Sequence, residues 1–288
     1  MTDPILTLAN DTLTAQVSDL GAELQSLNFD GQEYLWNGDA AWWTGRSPIL
    51  FPIVGRAADN RIAVGDFTAD MKSHGFARRS RFRRIVTEPA LCRHELLASE
   101  ATRAIYPFEF RLTLTHALVG NTLTITAEVE NLDTAPMPFG IGFHPAFRWP
   151  LPGHANEAHV IALDNGAEPA LARLTDGLLS EGRLPSPFVA GRLTLASEQF
   201  ADDAMIFPEG AGTGLSYGAA TGPKLRFSFD NLPNLAIWQK PGAPFICIEP
   251  WHGMAARAGA GPQIAARPYS LTLAPGAGAT FALGIVIG

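Results

Sequence analysis

The chain has 288 residues, 47% of them apolar and 17% charged, which is enough apolar material for a large buried core. A formal net charge of −7 argues against a nucleic-acid partner and against an anionic membrane surface. Two cysteines, Cys92 and Cys247, cannot build a disulfide framework, and the start Met-Thr-Asp-Pro shows no basic-then-apolar leader, so the expectation is a soluble, cytoplasmic protein.

In chain order, short segments at 5–9, 12–18, 22–29 and 84–88 are predicted strands. Residues 91–100 have helix-forming composition, yet an all-β neighbourhood would make them a strand. The clearest pair follows: Phe110, Leu112 and Leu114 alternate with Arg111, Thr113 and Thr115, and alternation resumes at Leu123, Ile125, Ala127 and Val129. Period two on both sides of Gly120-Asn121 predicts a hairpin with one wet face. Further strands are expected at 159–163, 224–229 and 244–249, then around Leu271 and Leu273, then from Phe281 to Ile287. Residues 255–266, rich in Ala and Gly, read as a loop. The 28 glycines and 22 prolines are spread along the chain, as many strands joined by turns require. No run approaches the roughly 18 apolar residues of a membrane span. The expected fold is all-β, one domain over 1–288: a large antiparallel β-sandwich rather than a closed barrel.

Three motifs carry chemistry. His144 sits in Gly-Phe-His-Pro-Ala-Phe, where a proline stops the ladder and fixes an imidazole among rings. Glu249 follows an apolar strand and precedes Pro250-Trp251. Burial there would raise its pKa and make it a better base, and Trp251 can floor a sugar site with its apolar face. His74, in Ser-His-Gly-Phe, is weak evidence alone. Upstream, Gly55-Arg56 offers a fork of hydrogen bonds to hydroxyls, although a salt bridge to Asp59 or Asp66 would explain Arg56 equally well. The run Arg78-Arg79-Ser80-Arg81-Phe82-Arg83-Arg84 is the one basic cluster, either a solvated face or an anchor for a substrate phosphate. His94-Glu95 begins like a zinc-protease helix but lacks the second histidine, and no metal site, nucleotide loop or dinucleotide fingerprint is expected.

Taken in order, these motifs resemble the aldose 1-epimerase (galactose mutarotase) superfamily, especially its LacX-like bacterial branch. The matching elements are Gly55-Arg56 through Asn60-Arg61-Ile62, Ser73-His74-Gly75-Phe76, Phe143-His144-Pro145-Ala146-Phe147, Asp202-Asp203-Ala204-Met205-Ile206-Phe207, and Cys247-Ile248-Glu249-Pro250-Trp251. The resemblance implies a galactose mutarotase-like supersandwich with a cleft across one sheet. It implies Glu249 as the base that takes the anomeric hydroxyl proton, His144 as the acid at the ring oxygen, and His74 as its assistant. Arg56 and Asp202 would hold hydroxyls, with the choice between Asp202 and Asp203 left open. No cofactor is implied, and the partner is a small sugar, bound by a monomer or homodimer. The expected activity is interconversion of α and β anomers of an aldohexose. The alternatives are a hexose-6-phosphate 1-epimerase, motivated by Arg78, a non-catalytic carbohydrate-binding protein, and a glycosidase using Glu249 with Asp202.

Overall fold

The computed structural model describes residues 4–288, and their regular secondary structure is almost wholly antiparallel strand. The predicted hairpin forms as Phe110–Val119 paired with Thr122–Asn131, in unbroken register from Phe110 opposite Asn131 to Val119 opposite Thr122. Its two-residue turn places Gly120 at φ +56°, the position a II′-type turn reserves for glycine. The hairpin is the centre of a nine-stranded sheet. On one side lie Leu91–Leu97 and the edge strand Arg83–Glu88; on the other, Gly278–Ile287, Leu225–Asp230, Gly214–Gly218, Val160–Leu163 and Arg192–Thr194. Residues 91–97 are therefore strand, not helix. Cys92, His94 and Leu96 turn inward at alternate positions, and pairing with Phe110–Val119 overrides local helix preference. Only the end of that segment is helical: Ser99 caps the single turn Glu100–Arg103, and Thr102 closes the capping box.

A second sheet of six strands holds Met205–Phe207, Asn234–Trp238, Phe245–His252, Ile141–Phe143 and Ile49–Leu50 in sequence. Ala146–Arg148 also pairs with Phe245–His252. A smaller sheet of Ile5–Ala9, Leu13–Ser18, Leu24–Phe29 and Gln32–Glu33 covers the chain start. One apolar core runs from Leu8 to Ile287 and is shared by all three sheets. Rings tie the two large sheets together: Phe147 meets Phe227 at 5.1 Å between centroids, and Phe51 meets Phe110 at 5.3 Å. The layered result is an antiparallel β-sandwich. Among the described residues no helix is long and apolar enough to cross a membrane.

Candidate active site

The strand Phe245–His252 reaches three residues beyond the sequence expectation, so Glu249 lies within the strand and not at its end. Alternation divides its residues cleanly. Ile246 and Ile248 enter the main core, while Cys247 and Trp251 join two smaller clusters on the opposite face. Glu249 shares that second face, which is the floor of a cleft of about 320 Å³.

His144 reaches the same floor through a broken ladder. Gly142 pairs with Trp251, and Ala146 pairs with Cys247 in the same register. Between them the neighbouring strand is interrupted at His144-Pro145, which sets His144 directly across from Glu249. Pro145 and Pro250 have no amide hydrogen to give, so the interruption falls where the ladder is weakest. The two side chains meet there: His144 Nε2 lies 3.3 Å from Glu249 Oε2, at 6% and 2% exposure. The contact is close but not aligned as a hydrogen bond, and Glu249 Oε2, His144 Nδ1 and the Trp251 indole nitrogen all lack a hydrogen-bond partner. Buried polar atoms without partners at a cleft floor are places for a ligand's hydroxyls to bond.

Small residues make the room. Ala236 faces Glu249 from the other neighbouring strand. Gly142 lies under the Trp251 indole, and a Cβ there would come within 2.3 Å of the ring. Three rings surround the imidazole of His144: Trp43 stacks on it at 4.9 Å, while Trp238 and His74 meet it edge-on at 5.9 and 5.6 Å.

His74 arrives on a turn of unusual backbone. His74 and Gly75 have φ of +65° and +70°, and the amide of Gly55 donates to His74 Nδ1 at 3.2 Å. With Nδ1 accepting, the neutral ring carries its hydrogen on Nε2. A Cβ on Gly75 would sit 2.1 Å from the Phe51 carbonyl oxygen. Gly75→Ala therefore meets both a clash and a left-handed dihedral that is costly for a residue with a Cβ. It should destabilise the fold by about 3 kcal/mol or more in urea unfolding, and a loss under about 0.5 kcal/mol would refute this account.

Burial sets the electrostatics. It pushes the Glu249 carboxyl well above its ordinary range, with Arg78 opposing and Asp203 adding to the rise. It pushes His144 well below the imidazole range, helped by the neighbouring His74 and by the charge of Arg78. Burial, then the nearby arginines, bring His74 down to about 3. All three shifts favour uncharged forms.

The other expected residues divide. Arg56 borders the cleft, donating to Asn60 and to the Asp176 carbonyl at 3.2 and 2.9 Å, with no ion pair to Asp59 or Asp66 among the described residues. Arg78 also borders it, from the short turn Ala77–Arg79. Asp202 does not line the cleft; Asp203 does, held at φ +65° in the turn after Phe200. One residue of shift in that turn decides which carboxylate faces inward. The rest of the basic run is used elsewhere: Arg79 bonds the Gly75 carbonyl, Arg83 pairs with Glu95, and Arg84 with Asp19.

Three contributors escaped the sequence reading. Trp43 and Trp238 are ordinary tryptophans in sequence, without a spacing that links them to His144. Buried Arg267 donates to the carbonyls of Val54, Arg56 and Met254, clamping the loop that carries Arg56. The ligand-capable atoms of His144, Cys247 and Glu249 also fall within 4.8 Å of one another.

Fold and site together define a galactose mutarotase-like β-sandwich of the LacX-like kind. The chain belongs to the aldose 1-epimerase family, whose model it matches over residues 4–169, and LacX of Lactococcus lactis subsp. lactis is 30% identical over 260 residues, 86% of this chain and 87% of LacX. Among solved structures, a galactose mutarotase related enzyme from Lactobacillus acidophilus superposes with a TM-score of 0.94 at 26% identity, covering 99% of this chain and 97% of that one. A galactose mutarotase-like protein from Lactobacillus casei gives 0.92 at 27% identity, covering 99% of this chain and 100% of that one.

Proposed function

We propose that the protein is an aldose 1-epimerase that interconverts the α and β anomers of a free aldohexose by acid–base ring opening. The observation carrying this reading is the buried 3.3 Å approach of His144 to Glu249 on the cleft floor. Opening a hemiacetal ring takes a proton from O1 and delivers one to the ring oxygen. Once the shared proton has passed from Glu249 to His144, Glu249 takes the first and His144 supplies the second; the aldehyde then turns about C1–C2 and closes on its other face. Reclosure returns both protons, so one proton shared by the pair serves both directions. His74, neutral and with its hydrogen on Nε2, donates to the ring oxygen. Trp251 floors the sugar while Arg56 and Asp203 hold hydroxyls at the rim. A cleft of about 320 Å³ is at the small end of ligand sites and suits one sugar ring.

The test is polarimetry on fresh α-D-glucose, α-D-galactose and glucose 6-phosphate with and without protein. Acceleration of a free hexose is the expected result; acceleration of none would sink the reading.

The position of Arg78 at the cleft favours one second reading, a hexose-6-phosphate 1-epimerase. Against it, the charge of Arg78 reaches Glu249, His144 and His74, close to the reacting end of the sugar. Arg78→Ala should therefore slow free hexose by roughly ten- to a hundredfold, the range of one lost charge-assisted contact. A loss confined to the phosphorylated sugar, shrinking as salt rises, would instead make Arg78 a phosphate anchor.

A further inference from the structure

In the nine-stranded sheet, and not in the six-stranded sheet that carries the cleft strand, three side chains with metal-binding atoms meet in the core. Cys92 and His94 lie two residues apart on one face of Leu91–Leu97, and His116 stands opposite Cys92 on Phe110–Val119. All three are at most 1% exposed, and their ligand-capable atoms lie within 4.8 Å of one another. None has a part in the sugar chemistry above.

The cluster is poorly explained as packing. His94 Nδ1 and His116 Nδ1 are both buried without a hydrogen-bond partner, which a folded core avoids where it can. The other nitrogen of His94 is engaged: Nε2 lies 3.1 Å from Asp19 Oδ1, and Arg84 donates to the same oxygen at 2.6 Å. A carboxylate only accepts, so His94 carries its hydrogen on Nε2, which leaves the buried, unpartnered Nδ1 as its bare lone pair. A carboxylate holding the far side of an imidazole is the arrangement that orients metal-bound histidines.

We propose that Cys92 Sγ, His94 Nδ1 and His116 Nδ1 form a three-coordinate site for one monovalent copper ion. The donor set is soft, a thiolate with two imidazoles, which suits copper(I). Charge decides against zinc. One thiolate and two neutral imidazoles carry a single negative charge, which a monovalent ion cancels. A divalent ion would leave a positive charge in the core and would call for a fourth ligand. The nearby carboxylate, Asp19, already serves Arg84 and His94. On binding, the S–H bond of Cys92 breaks, its proton leaves to solvent and the copper–sulfur bond forms. No electron is transferred. The ion would bridge two adjacent strands and, through His94, fasten them to Asp19.

The test is anaerobic titration of the metal-free protein with copper(I) in competition with bicinchoninate, together with X-ray absorption on the loaded protein. One equivalent bound by one sulfur and two nitrogens is the expected result. Asp19→Asn should weaken binding roughly 10- to 100-fold, as loss of a ligand's supporting partner does, and Cys92→Ser or His116→Gln should weaken it more. Cys247→Ala should leave binding unchanged, which separates this site from the trio in the cleft. Failure to compete for copper, a shell without sulfur, a preference for zinc over copper, or loss of binding in Cys247→Ala would each overturn the proposal. The last three readouts use the loaded protein and Cys247→Ala alone, so they decide it even where a variant of Cys92 fails to fold.

Discussion

Glu249→Gln and His144→Asn should each lower turnover at saturating sugar by about two to four orders of magnitude, the usual loss when a general base or acid is removed. Each side chain handles a different proton of one ring opening, and their atoms meet at 3.3 Å in register across a broken ladder. The effect should fall on kcat more than on KM, because hydroxyl contacts at the rim are untouched. The double variant should be little worse than either single one, since a pair that passes one proton between its members works as a unit. His74→Asn should cost less, about one to two orders, because a neutral donor to the ring oxygen is lost but the proton route stays. Near-wild-type turnover in both single variants would remove the pair from the mechanism.

How much of this was legible in the sequence depends on distance along the chain. The hairpin at 110–131 is local, and alternation around a Gly-Asn turn was sufficient to place it. Segment 91–97 was ambiguous because its own composition favours helix; pairing with Phe110–Val119 decides it. His144, Glu249 and His74 were visible as motifs, since each stands beside glycine or proline for a backbone reason that the structure bears out. Their meeting was not visible. It depends on the register that sets His144 opposite Glu249, a relation between residues 105 apart in sequence. Trp43 reaches His144 across a comparable separation, and nothing near it in sequence points there. Asp202 and Asp203 show the finest limit: both belong to one turn, and it is Asp203, at φ +65°, that lines the cleft. Arg84 illustrates the reverse case, since a basic run suggests a surface for anions until Asp19 folds against it.

The pH profile of kcat/KM should be bell-shaped, falling about tenfold per pH unit on each side, with its two limbs assigned opposite to the order of a free glutamate and a free histidine. Composition alone suggests a glutamate titrating below a histidine. Burial reverses that order in the free protein by raising Glu249 and lowering His144. The pair then titrates as one system holding a single proton over the plateau. With two protons nothing can accept from O1; with none, nothing can be given to the ring oxygen. The acid limb marks entry of the second proton, at a pKa lowered by the burial of His144. The alkaline limb marks loss of the shared proton, at a pKa raised by the burial of Glu249. Nitrogen NMR should accordingly find the His144 ring neutral at pH 6, and an imidazolium there beside an ionised Glu249 would refute the reversed order. Arg78 supplies an independent check of sign. Its charge lowers the pKa of both partners, so Arg78→Met should move both limbs to higher pH. A bell that stays in place, or moves to lower pH, would show that Arg78 does not act on the pair.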